Sequence, residues 1–218
     1  NILLAALLND TGGFDHSMRE AQKLLRSRGK VLPVTLATTE LCANLNDGTV
    51  LRGEATINNN IDLGERWIKQ LFLVPQATAN PKAIQAIRRA DVIVLGPGDL
   101  YTSLLPNLLI EGISEAICSS SAKIIFVGNI AENPSETKGY KLSNFLGEIL
   151  RYLKSPHPIH TVILDFQERN LPTTTVRVES NLAACSKLAL NALVRPLTRQ
   201  DFPELHDSQK TSEAILIK

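Results

Sequence analysis

The sequence predicts an α/β protein: a parallel sheet with a β-rich extension beside it. Three short apolar runs point to the sheet, at residues 92–95, 123–127 and 159–164, each stopped by Gly96, Gly128 or Asp165. Runs of that length, bounded by turn residues, read as strands buried on both faces. Helical segments at 113–118 and 140–153 separate them, and strand–helix–strand–helix–strand requires parallel pairing with right-handed crossovers. The extension is announced by Asn46-Asp47-Gly48, a hairpin turn inside 41–54.

Taken in order, residues 1–8 are almost wholly apolar and read as the tail of a buried helix. Asp15 is placed to cap a second helix, with Met18, Ala21, Leu24 and Leu25 on one face and Gly29 as its stop; His16 reads as solvated. Residues 31–38 read as a strand, 41–54 as the hairpin, 57–62 with its three asparagines as a loop, and 67–74 as a strand closed by Pro75. Pro81 opens a helix with Ala83, Ile84 and Ile87 on one side. The 140–153 helix is amphipathic, its apolar side formed by Leu142, Phe145, Leu146, Ile149, Leu150 and Leu153. Residues 173–178 read as an edge strand, 182–193 as a helix, and Asp207 as the cap of a terminal helix reaching Ile217. The whole fits one domain, 1–218, with 31–75 as extension, 81–165 as core and 166–218 as C-terminal region.

The totals are those of a globular chain: 218 residues, 44% hydrophobic and 21% charged. Lys plus Arg is 23 against 22 for Asp plus Glu, so the formal charge is +1 and no global field attracts nucleic acid or an anionic membrane. Cys42, Cys118 and Cys185 are far apart, without metal-ligand or redox spacing; buried free thiols in a reducing, cytoplasmic compartment are expected. No apolar run reaches the roughly 18 residues of a membrane span. The chain opens at Asn1 directly into an apolar segment, which leads us to expect further sequence upstream.

In a parallel sheet the carboxyl ends of the strands share one edge, and the loops leaving them converge on one crevice. The loop after Leu95 supplies Gly96, Pro97, Gly98, Asp99, Tyr101, Thr102, Ser103 and Asn107. Its two glycines let the backbone turn sharply and bare its amides, which suits a phosphate; a plain strand-to-helix turn is the competing reading. The loop after Val127 supplies Asn129, Asn133 and Glu136, and the third supplies Asp165. Asn129 and Asn133 can equally serve as turn residues. Asp99 would repel a phosphate, so a helix cap suits it better. The set holds neither His nor Cys, which makes it poor in nucleophiles and good at gripping a polar ligand. No catalytic residue stands out.

Familiar motifs fail. Tyr101 stands where the dinucleotide fingerprint needs its third glycine, and Leu24 and Val31 break a Walker reading of Gly29-Lys30. His157 and His160 lack further zinc ligands and read as structural.

The run Gly96-Pro97-Gly98-Asp99-Leu100-Tyr101-Thr102-Ser103-Leu104-Leu105-Pro106-Asn107, with Asn129-Ile130-Ala131-Glu132-Asn133-Pro134-Ser135-Glu136-Thr137, resembles the gluconeogenesis-factor branch of the 2-phospho-L-lactate transferase-like (CofD-like) family. Residues 1–7, Arg28-Gly29-Lys30-Val31-Leu32-Pro33, Asp47-Gly48-Thr49-Val50 and Gly53-Glu54 fit the same pattern. The resemblance implies a Rossmann-like sheet with helices on both faces, here without the N-terminal part of the family fold. It implies a UDP-sugar ligand facing Gly96 to Ser103, with Asn107 and Asn129 nearby, and a regulatory role in cell-envelope growth on gluconeogenic carbon sources. The sister branch implies the alternative, a phospholactyl transferase using a guanosine diphospho donor, a deazaflavin acceptor and Mg2+; Asp99 and Glu136 are the local carboxylates it could draw on. A sheet lacking its first strands would expose an edge and favour homo-oligomers.

Overall fold

A computed structural model describes residues 2–11, 13–59, 65–154, 159–166, 171–173 and 175–216, the side chains of residues 2–4, 10 and 11 excepted. Two sheets organise it. The smaller is antiparallel, with β1 (Glu40–Leu45) between β2 (Val50–Arg52) and β3 (Ile68–Val74). The Asn46-Asp47-Gly48 turn joins β1 to β2 as the sequence implied, with Gly48 at φ +90. The larger is parallel, in the order β4 (Val92–Leu95), β5 (Lys123–Val127), β6 (Ile159–Asp165), β7 (Ala189–Arg195). The α/β class and the hairpin-bearing extension are therefore as expected.

Side chains alternate between the two faces of the parallel sheet, and β5 and β6 are covered on both. Ile124 and Phe126 of β5, with Val162 and Leu164 of β6, enter the main core. There they meet α7 (Leu142–Leu153), which buries Leu142, Phe145, Leu146, Ile149, Tyr152 and Leu153. Leu150, expected in that face, is only half-buried, and Tyr152 takes part instead. Ile125, Val127 and Ile163 point the other way, against Leu197 and Ala214 of α9 (Ser208–Leu216). Tyr152 also ties the two sheets together, its hydroxyl accepting a bond from the Leu71 amide of β3 at 2.8 Å.

The helix α4 (Pro81–Arg88) starts as the proline implied, with Asn80 as its cap: the Asn80 carbonyl of the side chain accepts from the Lys82 amide at 3.0 Å. Between β4 and β5 lie a π-helical turn (Leu100–Leu104), α5 (Leu105–Leu109) and α6 (Ile113–Ser119). Asp207 caps α9, its carboxylate accepting from the Gln209 and Lys210 amides at 3.0 Å each.

Several expectations give way. β4 is not buried on both faces: it is the sheet's edge, and Val92 and Val94 are 43% and 40% exposed. α9 covers the far face over β5 and β6 only. Residues 31–38 form no strand; with no strand partner, they are fixed by single bonds such as Asn80 Nδ2 to the Pro33 carbonyl and the Thr35 hydroxyl to the Thr78 carbonyl. The stretch 182–193 is not one helix. It splits into α8 (Leu182–Cys185) and β7, which pairs in parallel with β6. Of residues 173–178, Arg177 contributes one isolated bridge, to Ala131, rather than an edge strand; residue 174 lies outside the described residues. A short helix, α3 (Glu54–Asn58), occupies the start of the expected 57–62 loop; residues 60–62 lie outside the described residues, as do His157 and Ile217.

At the N-terminus, α1 (Ile2–Thr11) and α2 (Phe14–Leu24) are helices as expected, but not buried ones. Leu8, Phe14, Leu24 and Leu25 are all exposed. Asp15 does not cap α2; Gly13 holds that position, and Asp15 pairs with Lys82 instead.

Candidate functional site

The carboxyl edge of the parallel sheet gathers the residues singled out from sequence. β4 ends in a Gly96-Pro97 cis peptide. Gly96 has φ +78, and a Cβ there would lie 3.0 Å from the Val127 carbonyl oxygen, so the fold requires glycine. Gly98 is different. A Cβ on it would meet Ser103 at 3.5 Å, an ordinary contact, so the fold does not demand a glycine there. Among the described residues, the amides of Gly98 and Asp99 donate no hydrogen bond.

From Leu100 the chain winds into its π-helical turn, with the Ser103 and Leu104 amides both donating to the Asp99 carbonyl, at 3.0 and 2.9 Å. Asp99 stands at the cap position, but its side chain makes no capping bond; its carboxylate accepts from Asn133 Nδ2 at 3.1 Å. The start of the turn already has an anion. Glu136, 4% exposed, reaches it from the next loop and accepts from the Tyr101 amide at 2.8 Å and from the Thr102 hydroxyl. Burial raises the Glu136 pKa, and the Asp99 charge adds to it, while the bonds from Thr102 and Tyr101 oppose the rise.

The side chains of the first loop divide accordingly. Tyr101 is 1% exposed, and its hydroxyl shares a 2.9 Å bond with that of Tyr140, so its ring belongs to the core. Burial pushes its phenol far above the ordinary range. Thr102 is buried against Glu136. Asn107 bonds back to the Ser103 carbonyl at 2.7 Å, inside its own helical turn. Pro97 and Ser103 are exposed.

On the second loop, Asn133 is a turn residue in geometry: its Oδ1 accepts from the Ser135 amide at 3.1 Å, and its Nδ2 bridges Asp99 and Asn58. Asn129 reaches across the crevice, with Nδ2 donating to the Gly98 carbonyl at 2.9 Å. Its Oδ1 is buried and has no hydrogen-bond partner among the described residues. A flipped amide would set oxygen against oxygen, so the orphan is an acceptor.

Sequence reasoning missed the strap over the second loop. The Glu132 amide donates to Val176, the Val178 amide to Ile130, both at 2.9 Å, and Arg177 bridges Ala131. Arg177 also pairs with Asp165 at 2.8 Å, while the other Asp165 oxygen accepts from the Leu197 amide at 2.9 Å. His206 Nε2 lies 3.0 Å from the Gly128 carbonyl, and burial lowers its pKa. The one signal for Arg177 was the alternation in 173–178, which marked an extended segment but not its neighbour. The Asp99 carboxylate accepts from Asn133 and the Glu136 carboxylate from Tyr101 and Thr102, and among the described residues no group of three His, Cys, Asp or Glu side chains is placed to hold a metal ion.

The family model of the 2-phospho-L-lactate transferase CofD matches residues 1–198. The chain belongs to the CofD family. It is 35% identical over 226 residues to the gluconeogenesis factor of Halalkalibacterium halodurans, a match covering 99% of this chain and 68% of that protein. It is 42% identical over 154 residues to the gluconeogenesis factor of Bacillus subtilis, covering 70% of this chain and 47% of that one. The chain thus spans about half to two thirds of the length of these relatives. A crystal structure of a UPF0052-family protein from Bacillus halodurans superposes with a TM-score of 0.87 at 31% identity, over 100% of this chain and 72% of that one. The family suspected from the two loops is therefore the family of the chain. Among the described residues no helix is long and apolar enough to cross a membrane.

Proposed function

We propose that this chain carries the diphosphate-facing part of a UDP-sugar-binding crevice, in a cytoplasmic regulatory factor linked to gluconeogenic metabolism and cell-envelope growth. The observation that carries the reading is the orphaned Asn129 Oδ1, buried beside the undonated amides of Gly98 and Asp99. A buried acceptor without a partner costs about 1–3 kcal/mol, which a ligand hydroxyl or N–H would recover. Two adjacent free amides suit a phosphate oxygen. A nucleotide sugar brings both kinds of group. Because Glu136 fills the start of the π-helical turn, the diphosphate rests on Gly98 and Asp99 rather than on the full span from Gly96 to Ser103. Ser103, exposed at the rim, is left to contact the sugar.

The relatives' name, gluconeogenesis factor, supports the regulatory reading. The transferase alternative, with its guanosine diphospho donor, would need magnesium ligands in addition to Asp99 and Glu136. Calorimetric titration of UDP-N-acetylglucosamine into the protein tests the proposal. Saturable heat supports it. No heat for any UDP-sugar at about 1 mM ligand, the weak limit of useful affinity, sinks it.

A further inference from the structure

The return from α2 forms a second polar concavity that the crevice does not use. Arg26 takes a left-handed φ of +47, and the chain doubles back along its own helix. Gln22 clamps the returning segment: its Oε1 accepts from the Val31 amide at 2.9 Å and its Nε2 donates to the Val31 carbonyl at 3.1 Å. The Ser27 hydroxyl donates to the Gly29 carbonyl at 2.9 Å. The loop bearing Arg28 and Lys30 is thus held in place.

This loop, α2 and the start of α4 border a cleft of about 480 Å3, within the range of small-molecule sites. Its charged lining is Arg19, Lys23, Arg28, Lys30, Lys82 and Asp15, an excess of four positive charges in a chain whose total is +1. Asp15 is already shared by Lys82 at 2.8 Å and Arg19 at 3.5 Å, and Lys23 is drawn to Glu20 at 2.8 Å. Arg28 and Lys30 make no ion pair among the described residues. Val31 and Leu32 add an apolar wall.

We propose that this cleft binds a small phosphorylated metabolite, with Arg28 and Lys30 as its principal cations. Like charges gathered around one concavity focus a field on it and favour a polyvalent anion. The guanidinium fork of Arg28 matches phosphate oxygens in pairs, and Lys30 adds a compact charge. The carbon body of the ligand rests on Val31 and Leu32. A nucleic acid is disfavoured, because the chain's formal charge is only +1. The inference stands apart from the UDP-sugar reading and adds an effector site to it.

The probe is inorganic pyrophosphate, titrated calorimetrically at low salt into the wild-type protein, Arg28→Ala/Lys30→Ala and a charge-matched control, Arg88→Ala/Arg89→Ala, whose exposed cations lie outside the cleft. The expected result is binding tighter than about 1 mM in the wild type, at least about tenfold weaker in the cleft variant, and unchanged in the control. Both loop side chains are exposed, so the melting temperature should hold; if the cleft variant melts early, Lys30→Gln alone carries the same expectation. Equal affinity in the Arg28→Ala/Lys30→Ala variant, an equal loss in Arg88→Ala/Arg89→Ala, no heat at all, or tighter binding of a short single-stranded RNA than of pyrophosphate would each overturn the proposal.

Discussion

The two halves of the bend after β4 treat their polar groups in opposite ways. From Tyr101 to Leu104 the donors are consumed internally: the Ser103 and Leu104 amides by the Asp99 carbonyl, the Tyr101 amide and the Thr102 hydroxyl by Glu136. From Gly96 to Asp99 they are not; Gly96 is fixed by its backbone, and the amides of Gly98 and Asp99 are left over. One short sequence therefore holds both a piece of architecture and a piece of a binding surface. Only the unspent donors can serve a ligand.

The comparison can be broken from the closed half first. Glu136→Ala leaves the Tyr101 amide and the Thr102 hydroxyl buried without an acceptor and opens a cavity. We expect a loss of about 3 kcal/mol in urea denaturation. A loss under about 1 kcal/mol would mean that Glu136 does not hold the turn. Gly96→Ala should cost about 2 kcal/mol, since it strains a positive φ and crowds the Val127 carbonyl.

The open half should answer differently. Gly98→Ala and Asn129→Ala should each stay within about 1 kcal/mol of wild-type stability, yet weaken UDP-sugar binding about tenfold. Equal stability losses in Gly96→Ala and Gly98→Ala would erase the distinction between the halves. The smallest effect concerns pH. His206 is buried against the Gly128 carbonyl, and its pKa lies below the ordinary value of 6.5. The unfolded chain therefore binds a proton before the folded one does. Stability contributed by neutral His206 is complete above about pH 6.5 and declines as pH falls below it. His206→Gln should flatten that part of a stability–pH profile, measured by thermal melts.

What the sequence disclosed follows the range of the interactions. The hairpin was legible because Asn46-Asp47-Gly48 encodes its turn locally. β4, β5 and β6 were legible as apolar runs. β7 was not, because Ala189, Leu190, Ala192 and Leu193 are good helix formers, and pairing with β6 overrides that preference. Residues 31–38 erred the other way: strand-like residues with no strand beside them. In the site, Gly96 and Gly98 looked alike on paper, and only the neighbouring Val127 carbonyl separates them. Glu136 was recognised as a crevice residue, but its occupation of the turn depends on a contact 35 positions away that no local pattern encodes.

The most direct measurement is the backbone amide spectrum of 15N-labelled protein during titration with UDP-N-acetylglucosamine. The account predicts that the Gly98 and Asp99 amide resonances move downfield together and saturate, with the Asn129 side-chain resonances following, while the Tyr101 amide, held by Glu136, stays in place. A spectrum in which Tyr101 moves and Gly98 does not would contradict it.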